Sequence, residues 1–119
     1  MFIIYLLRPT LDNVSFITCP VKDGVIDPKS LLDILGKMSI TSVMIEGGSK
    51  VMGTMIRHRL IDKFYIFKAP KILGGSDAIP MAEGPAPFRM DESYLIEDIS
   101  LKRIGDDILI IGYPECLPD

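Results

Sequence analysis

The chain has 119 residues, 48% of them apolar and 24% charged, the composition of one globular domain and not of a disordered tract. A net charge of −3 supplies no basic face for a phosphate backbone, so nucleic acid is not expected as a partner. The longest apolar runs, Phe2 to Leu7 and Ile108 to Gly112, fall far short of the roughly 20 residues that cross a bilayer, so no membrane partner is expected either.

Phe2 to Leu7 has no basic segment before it and runs straight into Arg8-Pro9, so it reads as a strand and not as a secretory signal. Val14 to Pro20 has strand composition and stops at a proline. Cys19 and Cys116 lie far apart without CxxC spacing. They are expected as reduced, structural thiols of a cytoplasmic protein, with no disulfide framework and no metal centre. A turn is predicted at Asp23-Gly24, and then a helix from Pro28 to Met38. Asp27 can cap the free amides of that helix, and Pro28 takes the first turn, where a missing N–H costs nothing. Leu31, Leu35 and Met38 fall at i, i+4 and i+7 on one face, while Gly36 weakens the last turn.

Thr41 to Glu46 is a short apolar run of the kind found in strands buried on both faces. A helix is predicted from Ser49 to His58 with Val51, Met52, Met55 and Ile56 inward, and Lys63 to Pro70 reads as another strand. Strands alternating with helices on short connections predict right-handed crossovers and a mostly parallel sheet in an α/β chain. Ala69 to Pro87 is rich in proline and glycine and has no period, a pattern that marks functional or mobile segments. Tyr94 to Ile104 and Ile108 to Tyr113 flank Gly105-Asp106-Asp107, which predicts a C-terminal antiparallel hairpin. Apolar strands of this kind leave sheet edges that a second copy would cover, so a homodimer is expected.

Glu46-Gly47-Gly48-Ser49 stands between the third expected strand and its helix. Unpaired amides and the positive end of the helix dipole suit a phosphate there, and glycines let oxygens approach the backbone. A tight strand-to-helix turn with a serine N-cap explains the same four residues and stays open beside it. Gly48 and Gly53 have P-loop spacing, but Thr54-Met55 follows where Lys-Ser/Thr is required, and no GxGxxG occurs. Glu46 would be costly if simply buried, so it reaches solvent or bonds a polar ligand. His58 has no acidic or nucleophilic neighbour in sequence and reads as structural, and Arg57 to Arg59 as a solvated helix end. No Ser-His-Asp set or paired-carboxylate motif is visible, so no catalytic side chain is assigned.

From Ile40 to Gly75 the chain closely resembles the reductase domain of the riboflavin-biosynthesis deaminase–reductase family. The blocks are the apolar Val43 to Ile45, Glu46-Gly47-Gly48, Ile61-Asp62, Ala69-Pro70-Lys71 and Gly74-Gly75, in order and at the family's spacing. Cys19 to Leu35 and the ending Gly105 to Tyr113 are similar as well, so nearly all of 1–119 is identified as the C-terminal portion of such a domain.

The resemblance implies a three-layer, dihydrofolate-reductase-like mixed sheet, mostly parallel. It also implies NADPH as cofactor and reduction of 5-amino-6-(5-phosphoribosylamino)uracil to its ribitylamino product. By the same resemblance Glu46 contacts substrate, and Gly47, Gly48, Ser49, Lys50, Val51, Met52, Gly53 and Thr54 hold the cofactor phosphates. Lys50 departs from the small or neutral residues usual at that place. Family domains extend further on the amino-terminal side, so the sheet is expected to be incomplete there or completed by a partner chain. The alternatives are a non-catalytic fragment or dimerisation module, or a related enzyme acting on another pyrimidine or pteridine.

Overall fold

The computed structural model describes residues 16–115, in two compact units that meet in sequence between Ile45 and Glu46. The expected strand over Phe2 to Leu7, Val14 and Ser15 of the next one, and Cys116 lie outside the described residues.

In the first unit, β1 (Val21–Lys22) and β2 (Val25–Ile26) pair antiparallel around Asp23-Gly24. Both turn residues have positive φ, 53° and 79°, the backbone that a two-residue hairpin turn of type I′ requires and that Asp-Gly supplies at low cost. Residues 16–20 of the expected second strand form no ladder. Helix α1 (Pro28–Lys37) starts as its sequence dictates: the Asp27 carboxylate accepts the Ser30 amide at 3.0 Å, and Pro28 is the first helical residue. It ends in a Schellman arrangement, with the Ile40 N–H donating to the Leu35 carbonyl at 3.1 Å and the Ser39 N–H to that of Gly36 at 2.9 Å. Ser39 therefore takes φ 64°, a left-handed position that usually belongs to glycine. Cys19 is buried, and its thiol points at the Asp27 carbonyl 3.8 Å away. Burial, and then the Asp27 charge, push that thiol above its ordinary pKa.

In the second unit, helix α2 (Ser49–Arg57) precedes a three-stranded antiparallel sheet in the order β3-β5-β4. The strands are β3 (Phe64–Lys68), β4 (Ile96–Ile104) and β5 (Asp107–Pro114). β5 is central, which accounts for its near-continuous apolar run, and Leu109 and Gly112 on it are buried. The expected hairpin forms around Gly105-Asp106, with Gly105 at φ 62° and Ile104 opposite Asp107. A β-bulge interrupts β4 between Glu97 and Ser100, where Asp98 takes φ 48°. It lies beside Gly112, where a Cβ would overlap the Ile96 side chain and stand 3.2 Å from the Glu97 carbonyl oxygen.

Two expectations are corrected. The strand expected over Thr41 to Glu46 is not formed, and the run is not buried: Met44 is 78% exposed. Every ladder among the described residues is antiparallel, so the mostly parallel arrangement is not seen there. The crossover reading needed Thr41 to Glu46 as a parallel neighbour, and that run has no ladder partner among the described residues. On α2, Met55 is buried and Met52 and Ile56 partly so, whereas Val51, expected inward, is 52% exposed. The proline- and glycine-rich segment carries no helix or strand from Ala69 to Pro87, as its lack of period predicts. No described helix is long and apolar enough to cross a membrane.

Candidate functional site

All nine expected site residues lie at the start of the second unit. Glu46 is exposed, so its carboxylate carries no desolvation cost, and of the two outcomes open to it the side chain takes the one that reaches solvent. Because no strand precedes it, Glu46 does not stand at a strand's carboxyl end. Gly47 follows at φ 87°, a left-handed backbone that a Cβ would strain. Gly48 is the N-cap of α2, with no side-chain cap, and its carbonyl accepts the Val51 and Met52 amides at 3.0 and 3.2 Å. The serine N-cap of the simpler sequence reading is therefore absent, since Ser49 is the first helical residue.

This leaves the amides of Ser49 and Lys50 with no acceptor among the described residues. A Cβ placed on Gly47 or Gly48 would meet nothing within 4 Å, so the backbone here is open on its outer side. Open glycines, two unpartnered amides at the positive end of a nine-residue helix and the exposed Lys50 ammonium suit an incoming oxyanion. The residues present thus fit a phosphate group.

Along α2 several polar side chains are engaged in exposed intramolecular hydrogen bonds. The Thr54 hydroxyl donates to the Lys50 carbonyl at 2.8 Å and accepts from Arg57 Nη2 at 3.2 Å. The Ser49 hydroxyl donates to Glu83 Oε2 at 3.1 Å, and the Ser49 carbonyl accepts the Glu83 amide at 2.8 Å. Arg57 Nη1 donates to the Glu83 carbonyl at 2.8 Å. Arg57 is exposed, as a solvated helix end is expected to be, and its guanidinium is in addition hydrogen-bonded to Glu83 and Thr54. Glu83 was not singled out from sequence at all, and its one signal was its place in a glycine-proline stretch too long for an idle loop.

Beyond the second turn, α2 closes as α1 does, with Leu60 N–H on the Met55 carbonyl at 3.1 Å and Arg59 at φ 53°. His58 caps the helix C-terminus by its backbone and is exposed. The Arg59 guanidinium lies 5.1 Å from the Tyr94 ring centroid, and Tyr94 meets Phe64 edge-on at 5.7 Å. Burial raises the Tyr94 phenol above its ordinary pKa, opposed in part by the Arg59 charge.

A mixed α/β chain with antiparallel sheets and a glycine-rich, amide-presenting helix start defines the class. Residues 7–110 match the RibD C-terminal domain, and the chain belongs to that family. Among curated relatives, it is 36% identical over 86 residues to the 5-amino-6-(5-phosphoribosylamino)uracil reductase of Buchnera aphidicola, covering 72% of this chain and 41% of that protein. To the riboflavin biosynthesis protein RibD of Actinobacillus pleuropneumoniae it is 29% identical, over 82% of this chain and 26% of the relative. Among solved structures, Acinetobacter baumannii RibD (form 1) superposes with a TM-score of 0.68 at 26% identity, over 78% of this chain and 27% of the other. The chain thus spans between about a quarter and two fifths of the length of these proteins.

Proposed function

We propose that the chain is the C-terminal portion, residues 1–119, of a pyrimidine reductase domain of riboflavin biosynthesis that uses NADPH. The reaction is reduction of 5-amino-6-(5-phosphoribosylamino)uracil to the ribitylamino product. The observation that carries this reading is the open helix start at Gly47 to Lys50, set inside a family match over most of the chain. Relatives named as reductases of this pathway support it.

Gly47 to Thr54 form the proposed phosphate loop, with the amides of Ser49 and Lys50 and the Lys50 ammonium as its charge-bearing contacts. Glu46, exposed one residue before the glycines, is the proposed substrate contact, its carboxylate accepting from sugar or pyrimidine donors. NADPH, when bound, supplies the hydride. The part of this chain is to orient phosphates and substrate, which requires no catalytic side chain of its own. The proposed setting is a cytoplasmic homodimer in which the three-layer, dihydrofolate-reductase-like mixed sheet is complete.

The test is to incubate the purified chain with NADPH and the phosphoribosylamino-pyrimidine and to read the product by mass. A product heavier by two hydrogens, lost on Glu46→Ala, supports the reading; turnover unaffected by that change removes Glu46 from it. The exposed apolar run at Val43-Met44, together with the partial coverage of the relatives, favours a second reading, a module that acts only when paired. A monomer in sedimentation that still turns over would exclude it.

A further inference from the structure

A segment 34 residues downstream is fastened onto α2 at a single residue, Glu83. Its amide donates to the Ser49 carbonyl at 2.8 Å, its carbonyl accepts Arg57 Nη1 at 2.8 Å, and its carboxylate accepts the Ser49 hydroxyl at 3.1 Å. Both main-chain groups and the side chain are thus used on one helix, in a stretch with no ladder or helix of its own. Two glycines make the approach feasible. A Cβ on Gly53 would overlap the Glu83 carbonyl oxygen, and a Cβ on Gly84 would overlap the Arg57 guanidinium. Gly53 is buried, whereas Gly47 and Gly48 face open space.

From this geometry we infer that Glu83 is a positioning residue for the proposed cofactor loop: its main chain docks in a notch at Gly53, and its carboxylate accepts the hydrogen bond of the Ser49 hydroxyl. Gly53 and the Ser49 hydroxyl then serve this strap and do not contact cofactor phosphates, which are left to Gly47, Gly48 and the first two amides of α2. A hydroxyl has one proton, and Ser49 spends it on Glu83, so it has none to donate to a phosphate. The docked carboxylate also adds a negative charge at the first turn, which opposes the binding of an anion there. The docking itself stands independently of the functional reading, and only the statement about phosphates rests on it.

Cleavage of the full chain by a glutamyl endopeptidase tests the docking without any cofactor. A protease must take the Glu83–Gly84 bond in extended form, and here both main-chain groups of Glu83 are bonded. Gly53→Ala is expected to raise cleavage at this bond at least about tenfold relative to cleavage after Glu97, because local opening sets the rate. Arg57→Gln, which removes one latch and adds no bulk, is expected to raise it too. Unchanged ratios in both variants overturn the inference.

The second measurement is NADPH affinity by titration. Glu83→Gln keeps the main-chain docking and removes the charge, so binding should tighten about three- to tenfold. A tenfold loss of affinity in Ser49→Ala would show the hydroxyl on the phosphate and overturn the inference. A wild-type chain that resists cleavage at Glu83 yet binds no NADPH would refute the proposed function and leave the docking standing.

Discussion

Individual backbone angles carry the sharpest consequences at the residue scale. Gly47 combines φ 87° with open space, so a side chain there meets strain and no clash. Gly47→Ala is expected to destabilise the chain by about 1 kcal/mol, read as a lower denaturant midpoint. The opposite change helps at Ser39, which holds φ 64° at the end of α1. Ser39→Gly relieves the left-handed strain and should stabilise by roughly 0.5 kcal/mol after the added entropy of the unfolded glycine is counted. Neither effect is visible in composition. Asp-Gly at the β1–β2 turn was legible because its chemistry fits one turn type, whereas Ser39 and Arg59 in left-handed positions contradict the usual residue preference. Only the Schellman hydrogen bonds of the folded helices account for them.

What was readable at the scale of elements was whatever local rules decide. The α1 start follows from Asp27-Pro28, and Asp27→Ala should cost about 1 kcal/mol, with part of the far-UV helical signal lost at lower denaturant. Helix α2, strand β3 and the C-terminal hairpin follow from period and turn signals within a residue or two. The direction of β3 does not, because an apolar run says nothing about which neighbour it pairs with. β5 reveals a constraint that the sequence only hints at through Gly112, a glycine in a central strand. Gly112→Val would drive a side chain into Ile96 at the β4 bulge, costing on the order of 2 kcal/mol or more. Thermal unfolding would register it, and an unchanged midpoint would mean that the bulge absorbs the volume. The strap at Glu83 was illegible for the same reason as β3: its partners are 26 and 34 residues away.

At the scale of the whole molecule, the raised pKa values of three groups among the described residues point the same way. Cys19 and Tyr94 are raised chiefly by burial, and Lys63 by hydrogen bonds to Tyr113 and then Tyr65. For each group the folded state holds its proton more tightly than the unfolded chain, so the stabilisation is complete below the unfolded pKa. It is lost as pH rises through the folded value. Stability should therefore decline above about pH 9, the ordinary value of the Cys19 thiol in the unfolded chain. Urea midpoints at pH 7 and pH 10 would check this, and a midpoint that rises with pH would contradict it.

The candidate loop was legible at this scale because ordered family blocks are a stronger signal than spacing. A glycine pair before a helix fits an ordinary turn equally well, and the open glycines and free first amides of the folded chain are compatible with both.

NADPH binding at the start of α2 is the central claim, and titration of the full chain against its Gly48→Asp variant tests it most directly. The added carboxylate would stand in the open space where the phosphate is proposed to bind, beside the unpartnered Ser49 and Lys50 amides. The expected result is saturable binding by the wild-type chain, weakened at least about tenfold in the variant. Equal affinity in the two proteins would contradict the claim.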